Sequence, residues 1–241
     1  MDALATRVIS VLRDRQVGTS DGVRRFVVDH LVRAILARGK FDPILVLDEM
    51  RGHRLTLDDV IDQYIPRAAT LLGEKWAADE ISFADVTVGA LRLQSLLSEA
   101  ACQARTDLPT DETRPSTMVV LPQGEQHFLG LSVVAAQLRR IGCDVSVSYD
   151  ETPGSLRARL KLDRPDLVLI SCARREGLET VAETVQTIRT SAPAGTIIAL
   201  GGAVLQDADA LEERTGVDIV TRNAKDAVSQ FSRSGRTPTR S

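Results

Sequence analysis

The chain has 241 residues, of which 43% are hydrophobic and 26% are charged, and its formal net charge is −3 at pH 7. This composition is ordinary for a globular protein of one large or two small domains, and it lacks the positive field that attracts nucleic acid. Aromatic residues make up only 3% of the chain, which argues against a stacking surface for single-stranded nucleic acid.

The cysteines and the hydropathy pattern indicate the cellular compartment. Cys102, Cys143 and Cys172 are far apart and form no CxxC pair, which fits a reducing environment. The amino-terminal segment carries charges throughout and lacks the apolar run of a secretory signal. Apolar runs also stay well below the roughly 20 residues of a membrane helix. We therefore expect a cytoplasmic protein with no membrane partner.

Residues 1–105 have the pattern of a bundle of about four or five helices. Ser20 or Asp21 is a candidate N-cap for the first helix. This helix is expected to continue to Arg38, because apolar residues recur at helical spacing and Gly39 stands in the stop position.

The remaining helices of this half are expected after further start signals. One helix is predicted over Pro43–Met50, and another after Thr56, with a kink or interruption at Pro66. Ser82 and Asp85 have the spacing of a capping box, and the helix that follows them is amphipathic.

The pattern changes after residues 106–116, a polar segment with two prolines that we interpret as a linker. In residues 117–232, short β-rich runs alternate with helical stretches, which predicts a parallel sheet covered on both faces. Five such units favour a flavodoxin-like (Rossmann-like) sheet of order 2-1-3-4-5. The predicted strands are Thr117–Leu121, Val145–Tyr149, Asp166–Ser171, Thr196–Leu200 and Asp218–Val220. The predicted helices begin near Phe128, Pro153, Gly177, Leu205 and Ala224. Residues 233–241 are interpreted as a disordered tail.

A ligand site is expected at the carboxyl ends of these strands, between the first and third, where the strand order reverses. The loop Pro122–Gly130 follows the first strand and contains His127, the only histidine of this half. The loops after the third and fourth strands begin at Ser171 and Gly201, and their first three residues are all small. Such residues leave room for a slot that a flat group can enter, with backbone amides and the Ser171 hydroxyl as partners.

Glu125, His127 and Gly130 form the sequence E-x-H-x-x-G, which resembles the D-x-H-x-x-G motif of the cobalamin-binding domain family. The resemblance implies binding of cobalamin, as hydroxocobalamin or another B12 form, with His127 as the lower axial ligand of cobalt. Glu125 is implied to accept a hydrogen bond from the other ring nitrogen of His127, and Gly130 to let the next helix approach the corrin. Because Glu replaces the family's Asp, the sequence leaves open whether this carboxylate contacts His127.

The loops after the third and fourth strands resemble two further elements of the same family. Ser171 is similar to the serine of its S-x-L element, with Ala173 in place of Leu, and Gly201 and Gly202 are similar to its GG element. The resemblance implies that the displaced nucleotide tail of cobalamin enters the slot beside these residues.

Trp76, the only tryptophan, is either a core anchor of the bundle or a cap over the upper face of the cofactor, with Phe83 helping to close the pocket. The run W-x6-F-x-D-V-T-x-G-x-x-R-L-Q, from Trp76 to Gln94, is similar to the AerR/PpaA group, which favours the cap. CarH-type photoreceptors have Glu-His where this chain has Val86 and Thr87, so their second histidine ligand is missing here. His30 and His53 are interpreted as structural.

The resemblance to the AerR/PpaA group implies a light-responsive antirepressor that is not an enzyme. It would bind a PpsR/CrtJ-type repressor of photosystem genes, without direct sequence-specific DNA binding, since no helix-turn-helix with a basic recognition helix is found. The leading alternative is a corrinoid methyl-carrier protein of a methyltransferase system. A third interpretation is a haem or redox sensor in which His127 binds iron.

Overall fold

The computed structural model describes residues 23–104, 114–206 and 209–233. The chain divides into two compact units, residues 1–106 and residues 107–241. The N-cap proposed at Ser20 or Asp21, most of the predicted linker and the predicted tail after Arg233 lie outside the described residues.

The first unit is helical. Its elements are α1 (Arg25–Leu36), α2 (Pro43–Gly52), α3 (Leu57–Asp59), a π-helix (Val60–Tyr64), α4 (Ile65–Ala77) and α5 (Phe83–Ala104). Their apolar faces form a core in which the largest fully buried side chains include Leu31, Ile35, Leu47, Met50, Ile61, Tyr64, Leu93 and Leu96. Helix α1 ends at Leu36, two residues before the predicted Arg38, because the backbone turns extended at Ala37.

Pro66 distorts the helix that contains it without ending it. The Val60–Tyr64 segment directly before it is π-helical, and the N–H of Ile65 bonds to the Val60 carbonyl five residues back. A proline ring clashes with the carbonyl four residues before it, and a wider turn relieves that clash. The kink predicted at Pro66 therefore takes the form of a π-helical turn.

Capping boxes begin two of these helices, of which the sequence predicts the box at Ser82 and only a helix start after Thr56. The N–H of Asp59 donates to Thr56 Oγ1 at 3.1 Å, and the N–H of Thr56 donates to the Asp59 carboxylate at 2.9 Å. Asp85 and Ser82 exchange the same two bonds at 3.2 and 3.0 Å. Each box gives partners to backbone groups that a helix start would otherwise leave unbonded.

The second unit is a five-stranded parallel sheet of order β2-β1-β3-β4-β5, which confirms the predicted fold. Its elements are β1 (Ser116–Leu121), α6 (Phe128–Arg140), β2 (Asp144–Tyr149), α7 (Pro153–Asp163), β3 (Leu167–Ser171), α8 (Leu178–Ser191), β4 (Ile197–Gly201), α9 (Leu211–Thr215), β5 (Ile219–Val220) and α10 (Ala224–Arg233). Met118 and Val120 share a core with residues of α7, α8 and α9, whereas Val119 and Leu121 share the opposite core with residues of α6 and α10. Strand β1 is therefore buried on both faces.

Two aspartates that were predicted to open strands instead lie just before them. Asp166 Oδ2 accepts the N–H of Ser116 at 3.0 Å, and Asp218 Oδ2 accepts the N–H of Ile198 at 2.8 Å. Each carboxylate thus bonds the main chain of the neighbouring strand and closes the ladder at the amino edge of the sheet.

The helix predicted near Leu205 is wrong in position. A 3-10 turn spans Ala203–Gln206, and α9 begins only at Leu211. Ala210 adopts a left-handed backbone, with φ of 52°, which a continuous right-handed helix does not allow. The described residues contain no helix long and apolar enough to cross a membrane.

Candidate functional site

His127 lies at the carboxyl edge of the sheet, where a ligand site was expected. It is the residue before α6, and its side chain is 57% exposed. The adjacent strands β3 and β4 end in register at Ser171 and Gly201. The parallel order therefore brings the loops after β1, β3 and β4 to one edge.

The Glu125 carboxylate contacts His127, which answers the question that the sequence left open. Oε1 accepts a hydrogen bond from Nδ1 of His127 and another from the N–H of Gln126 at 2.8 Å. Oε2 accepts the N–H of Ala173, in the loop after β3, at 3.0 Å. With its proton on Nδ1, a neutral His127 presents the lone pair of Nε2 on its exposed side.

The environment of Glu125 favours its ionised form. Burial raises the pKa of this carboxyl, since only 9% of the residue is exposed. Hydrogen bonds from His127, from the Ala173 amide and from the Gln126 amide outweigh burial, so the pKa lies below its ordinary value. The carboxylate is therefore charged at neutral pH and stabilises the Nδ1–H tautomer.

Gly201 and Gly202 let the ends of the strands approach each other closely. A Cβ atom at position 202 would lie 2.1 Å from the Cys172 carbonyl oxygen, and one at position 201 would lie 3.2 Å from the Thr221 carbonyl oxygen. The position that a Cβ atom of residue 202 would take is thus occupied by the main chain of Cys172. Ser171 is half-buried, and its hydroxyl makes no hydrogen bond within the described part of the chain.

An open depression lies at the carboxyl end of β5, the strand that pairs with β4. Its volume is about 320 Å³, which is within the usual range for small-molecule sites. The lining residues are Leu205, Asp209, Ala210, Leu211, Glu212, Val220, Thr221 and Arg222. Thr221 lines this depression and also lies beside Gly201, so the depression adjoins the end of β4.

Gly130 has no packing role within its own unit. It is an exposed residue in the first turn of α6, and a Cβ added there would meet nothing within 4 Å. Glycine destabilises a helix relative to alanine. Glycine at position 130 therefore does not stabilise the fold. A residue as small as glycine would, however, let a ligand approach the helix.

Trp76 and Phe83 lie on the surface of the helical unit, so the core-anchor interpretation of Trp76 is wrong. Trp76 is 50% exposed and Phe83 is 71% exposed, with their ring centroids 6.3 Å apart. Within the same motif, Asp85 caps α5 and Gly89 packs against Leu72. The fold therefore accounts for these polar and small residues, whereas half or more of each aromatic side chain stays exposed.

Arg92, in the same motif, holds the end of α1. Its guanidinium donates to the carbonyl oxygens of Ile35, Ala37 and Gly39, and it lies 5.5 Å from the centroid of the Phe41 ring. This arginine therefore bonds one carbonyl group in the last turn of α1 and two in the segment that follows it.

The other two histidines lie together in the helical unit. His30 Nε2 bonds the Glu49 carboxylate at 2.9 Å, and the His30 and His53 ring centroids are 5.6 Å apart. No group of three or more His, Cys, Asp or Glu residues in the described ranges could hold a metal ion. A cobalt ion held inside a corrin ring needs only one protein ligand, so this finding does not concern His127.

Two features of the site were missed in the sequence. The Ala173 amide cannot be predicted as a hydrogen-bond donor to Glu125 because every residue except proline carries a main-chain N–H. Phe128 and Tyr149 form an exposed aromatic pair with centroids 5.7 Å apart, each 43% exposed. The sequence could have predicted this pair at the carboxyl edge, since Phe128 follows His127 and Tyr149 ends the second predicted strand.

Comparison with known proteins agrees with this geometry. Residues 115–232 match the model of the B12 binding domain family. A 20.5 kDa protein of the bchF-crtJ intergenic region of Rhodobacter capsulatus is 33% identical over 189 residues, covering 78% of this chain and 98% of that protein. The transcriptional repressor CarH of Myxococcus xanthus is 28% identical over 179 residues, covering 72% of this chain, and the match spans 56% of CarH.

A solved structure shares the fold. The monomethylamine corrinoid protein of Methanosarcina barkeri aligns with a TM-score of 0.67 and 15% identity, over 86% of this chain and 98% of that chain. At this identity the likeness concerns the fold alone. The domain match and the Rhodobacter relative show that the chain belongs to the B12-binding domain family and binds cobalamin.

Proposed function

We propose that Nε2 of His127 is the lower axial ligand of the cobalt of cobalamin. The observation that carries the proposal is the Glu125–His127 hydrogen bond, whose carboxylate acceptor favours the Nδ1–H tautomer and so leaves the Nε2 lone pair on an exposed ring. A carboxylate behind a metal-bound histidine orients the ring and raises its basicity. The surface at Gly130, three residues on, is open, since a Cβ atom there would meet nothing within 4 Å.

Two other groups of residues are proposed to contact the cofactor. Ser171, Gly201 and Gly202 would contact the nucleotide tail, and the unbonded Ser171 hydroxyl and the adjoining depression support this assignment. Trp76 and Phe83 would contact the upper face of the corrin, since they form a pair of exposed aromatic rings on the surface of the helical unit.

The His127 assignment is tested with absorption spectra of purified protein mixed with hydroxocobalamin. His127→Ala should abolish the spectrum of histidine-bound cobalamin, because no other described residue of the second unit offers an imidazole. His30→Ala, which removes a histidine of the helical unit, is the matched control and should leave the spectrum unchanged. An unchanged spectrum in His127→Ala would overturn the assignment.

The biological role that we propose is a light-responsive antirepressor that controls photosystem genes by binding a PpsR/CrtJ-type repressor, without catalysis. Cobalamin supplies a cobalt ion whose upper ligand can change. His127 would hold the cobalt, and the exposed Trp76 surface would respond to a change of that ligand, which would shift the population of a partner-binding conformation. Support comes from the Rhodobacter relative, which is encoded in the bchF-crtJ intergenic region.

A pull-down with the purified repressor tests this role. Empty protein and cobalamin-loaded protein, in the dark and after illumination, should capture different amounts of repressor. Equal capture in all states would rule out the switch, while the spectra described above would still report whether His127 binds cobalt.

A corrinoid methyl carrier is the second candidate, favoured by the fold shared with the monomethylamine corrinoid protein. Protein loaded with methylcobalamin would then transfer its methyl group to a thiol acceptor when a methyltransferase is supplied. The antirepressor role predicts no such transfer.

A further inference from the structure

The Glu125 carboxylate joins two loops that both belong to the proposed site. Oε1 bonds Nδ1 of His127 in the loop after β1, and Oε2 bonds the Ala173 amide in the loop after β3, at 3.0 Å. The carboxylate is nearly fully buried between these partners. It therefore connects the proposed metal ligand to the loop that begins at Ser171.

The length of the Glu125 side chain decides whether its carboxylate can bond both His127 and Ala173. Aspartate is shorter by one methylene, or roughly 1.5 Å of reach. An aspartate that kept its bond to His127 would leave Ala173 beyond the distance at which a hydrogen bond forms. Glutamate at position 125 therefore has a structural consequence that aspartate lacks.

The loop at the far end of this connection is itself held in place. The N–H of Cys172 bonds the Gly201 carbonyl at 3.0 Å, and the N–H of Val204 bonds the Cys172 carbonyl at 3.3 Å. Burial raises the pKa of the Cys172 thiol, which stays protonated and donates to the Arg174 carbonyl at 3.1 Å. Through the Ala173 amide, Glu125 thus reaches a framework that includes the loop after β4.

We propose that Glu125 is a positioning residue that couples the orientation of His127 to the shape of the nucleotide-tail slot, so that this chain selects corrinoids with a tail. The inference rests on the proposed function, in which His127 binds cobalt and the tail lies beside Ser171 and Gly202. A residue that positioned His127 alone would act equally on corrinoids with and without a tail.

The experiment compares the affinities of cobalamin and of cobinamide, the corrinoid without the nucleotide tail, for wild-type protein and Glu125→Asp. We expect Glu125→Asp to lower the preference for cobalamin by about tenfold, the effect of losing one hydrogen bond to a charged group. Glu176→Asp, in the same loop as Ala173 and exposed, is the matched control and should keep the wild-type ratio. Equal losses for both corrinoids, or no loss, would overturn the coupling.

A measurement without cofactor tests the same contact independently. Amide hydrogen exchange of Ala173 should become faster in Glu125→Asp, while exchange in the strand β3 and the thermal unfolding midpoint stay close to the wild type. Unchanged protection of the Ala173 amide would contradict the proposal. Failure of the cobalt-ligand assignment is distinguished because it would show as a His127→Ala spectrum equal to the wild type with either corrinoid.

Discussion

Gly202 lies so close to the main chain of Cys172 that a Cβ atom at position 202 would be 2.1 Å from the Cys172 carbonyl oxygen. Gly202 also has a φ of 111°, which side chains rarely tolerate. Gly202→Ala should therefore lower the free energy of unfolding of the second unit by about 3 kcal/mol, measured by urea denaturation.

Gly124→Ala is the control for Gly202→Ala. Gly124 has a φ of 79°, but a Cβ there would meet nothing within 4 Å, so only the backbone strain of about 1–2 kcal/mol is expected. Equal losses in the two variants would show that the contact with Cys172 relaxes at little cost.

Gly130→Ala should separate the stability of the fold from cofactor binding. Alanine removes the helix penalty of glycine, so the free energy of unfolding of the empty protein should rise by about 0.5–1 kcal/mol. The added methyl group would project into space that the corrin is proposed to use, so the affinity for cobalamin should fall. Calorimetry and spectral titration measure the two effects, and an unchanged affinity would remove Gly130 from the site.

Trp76→Ala and Phe83→Ala should change cofactor chemistry more than stability. Phe83 is largely exposed and Trp76 is half exposed, so removal of either side chain should lower the free energy of unfolding by less than about 2 kcal/mol. Exchange of the upper cobalt ligand should become faster in both variants. Leu72→Ala is the control, since Leu72 is 2% exposed and its truncation should cost about 2–5 kcal/mol. Exchange rates like those of the wild type would contradict the proposed cap.

Arg92→Met should destabilise the helical unit by about 2 kcal/mol, because it removes the donor to three carbonyl groups. Arg92→Lys should recover only part of this loss, since an ammonium group lacks the planar fork that reaches several carbonyls at once. Urea denaturation of the three proteins measures the difference. Full recovery with lysine would mean that charge alone matters at this position.

The stability of the helical unit should fall as the pH drops through the ordinary range of histidine. Burial lowers the pKa of His53 below its ordinary value of 6.5, and the charges of His30 and Arg24 lower it further, against the opposing effect of Glu49. The folded unit then binds a proton at His53 less readily than the unfolded chain does. The contribution of unprotonated His53 to the free energy of unfolding is therefore complete above pH 6.5 and is lost as the pH falls below it. His53→Gln should flatten this dependence, and NMR titration of His53 should give a higher pKa in His30→Gln. An unshifted His53 titration in that variant would contradict the electrostatic account.

The sequence predicted the architecture because its signals are local. Alternation of strands with helices and the count of units led to the order β2-β1-β3-β4-β5, and Ser82 with Asp85 predicted the start of α5. The same local reasoning placed a helix near Leu205, where the left-handed backbone of Ala210 overrides propensity. It also left Trp76 undecided, because burial depends on neighbours distant in the chain.

For the candidate site, the sequence by itself determined which residues reach the carboxyl edge, since strand order dictates which loops meet. It identified His127, Glu125, Ser171 and the glycine pair as residues of that edge. Only the tertiary structure decided that Glu125 contacts both His127 and the amide of Ala173, 48 positions later in the chain. A hydrogen bond to a main-chain amide depends on how two loops fold towards each other, and the residue types in the sequence do not predict it.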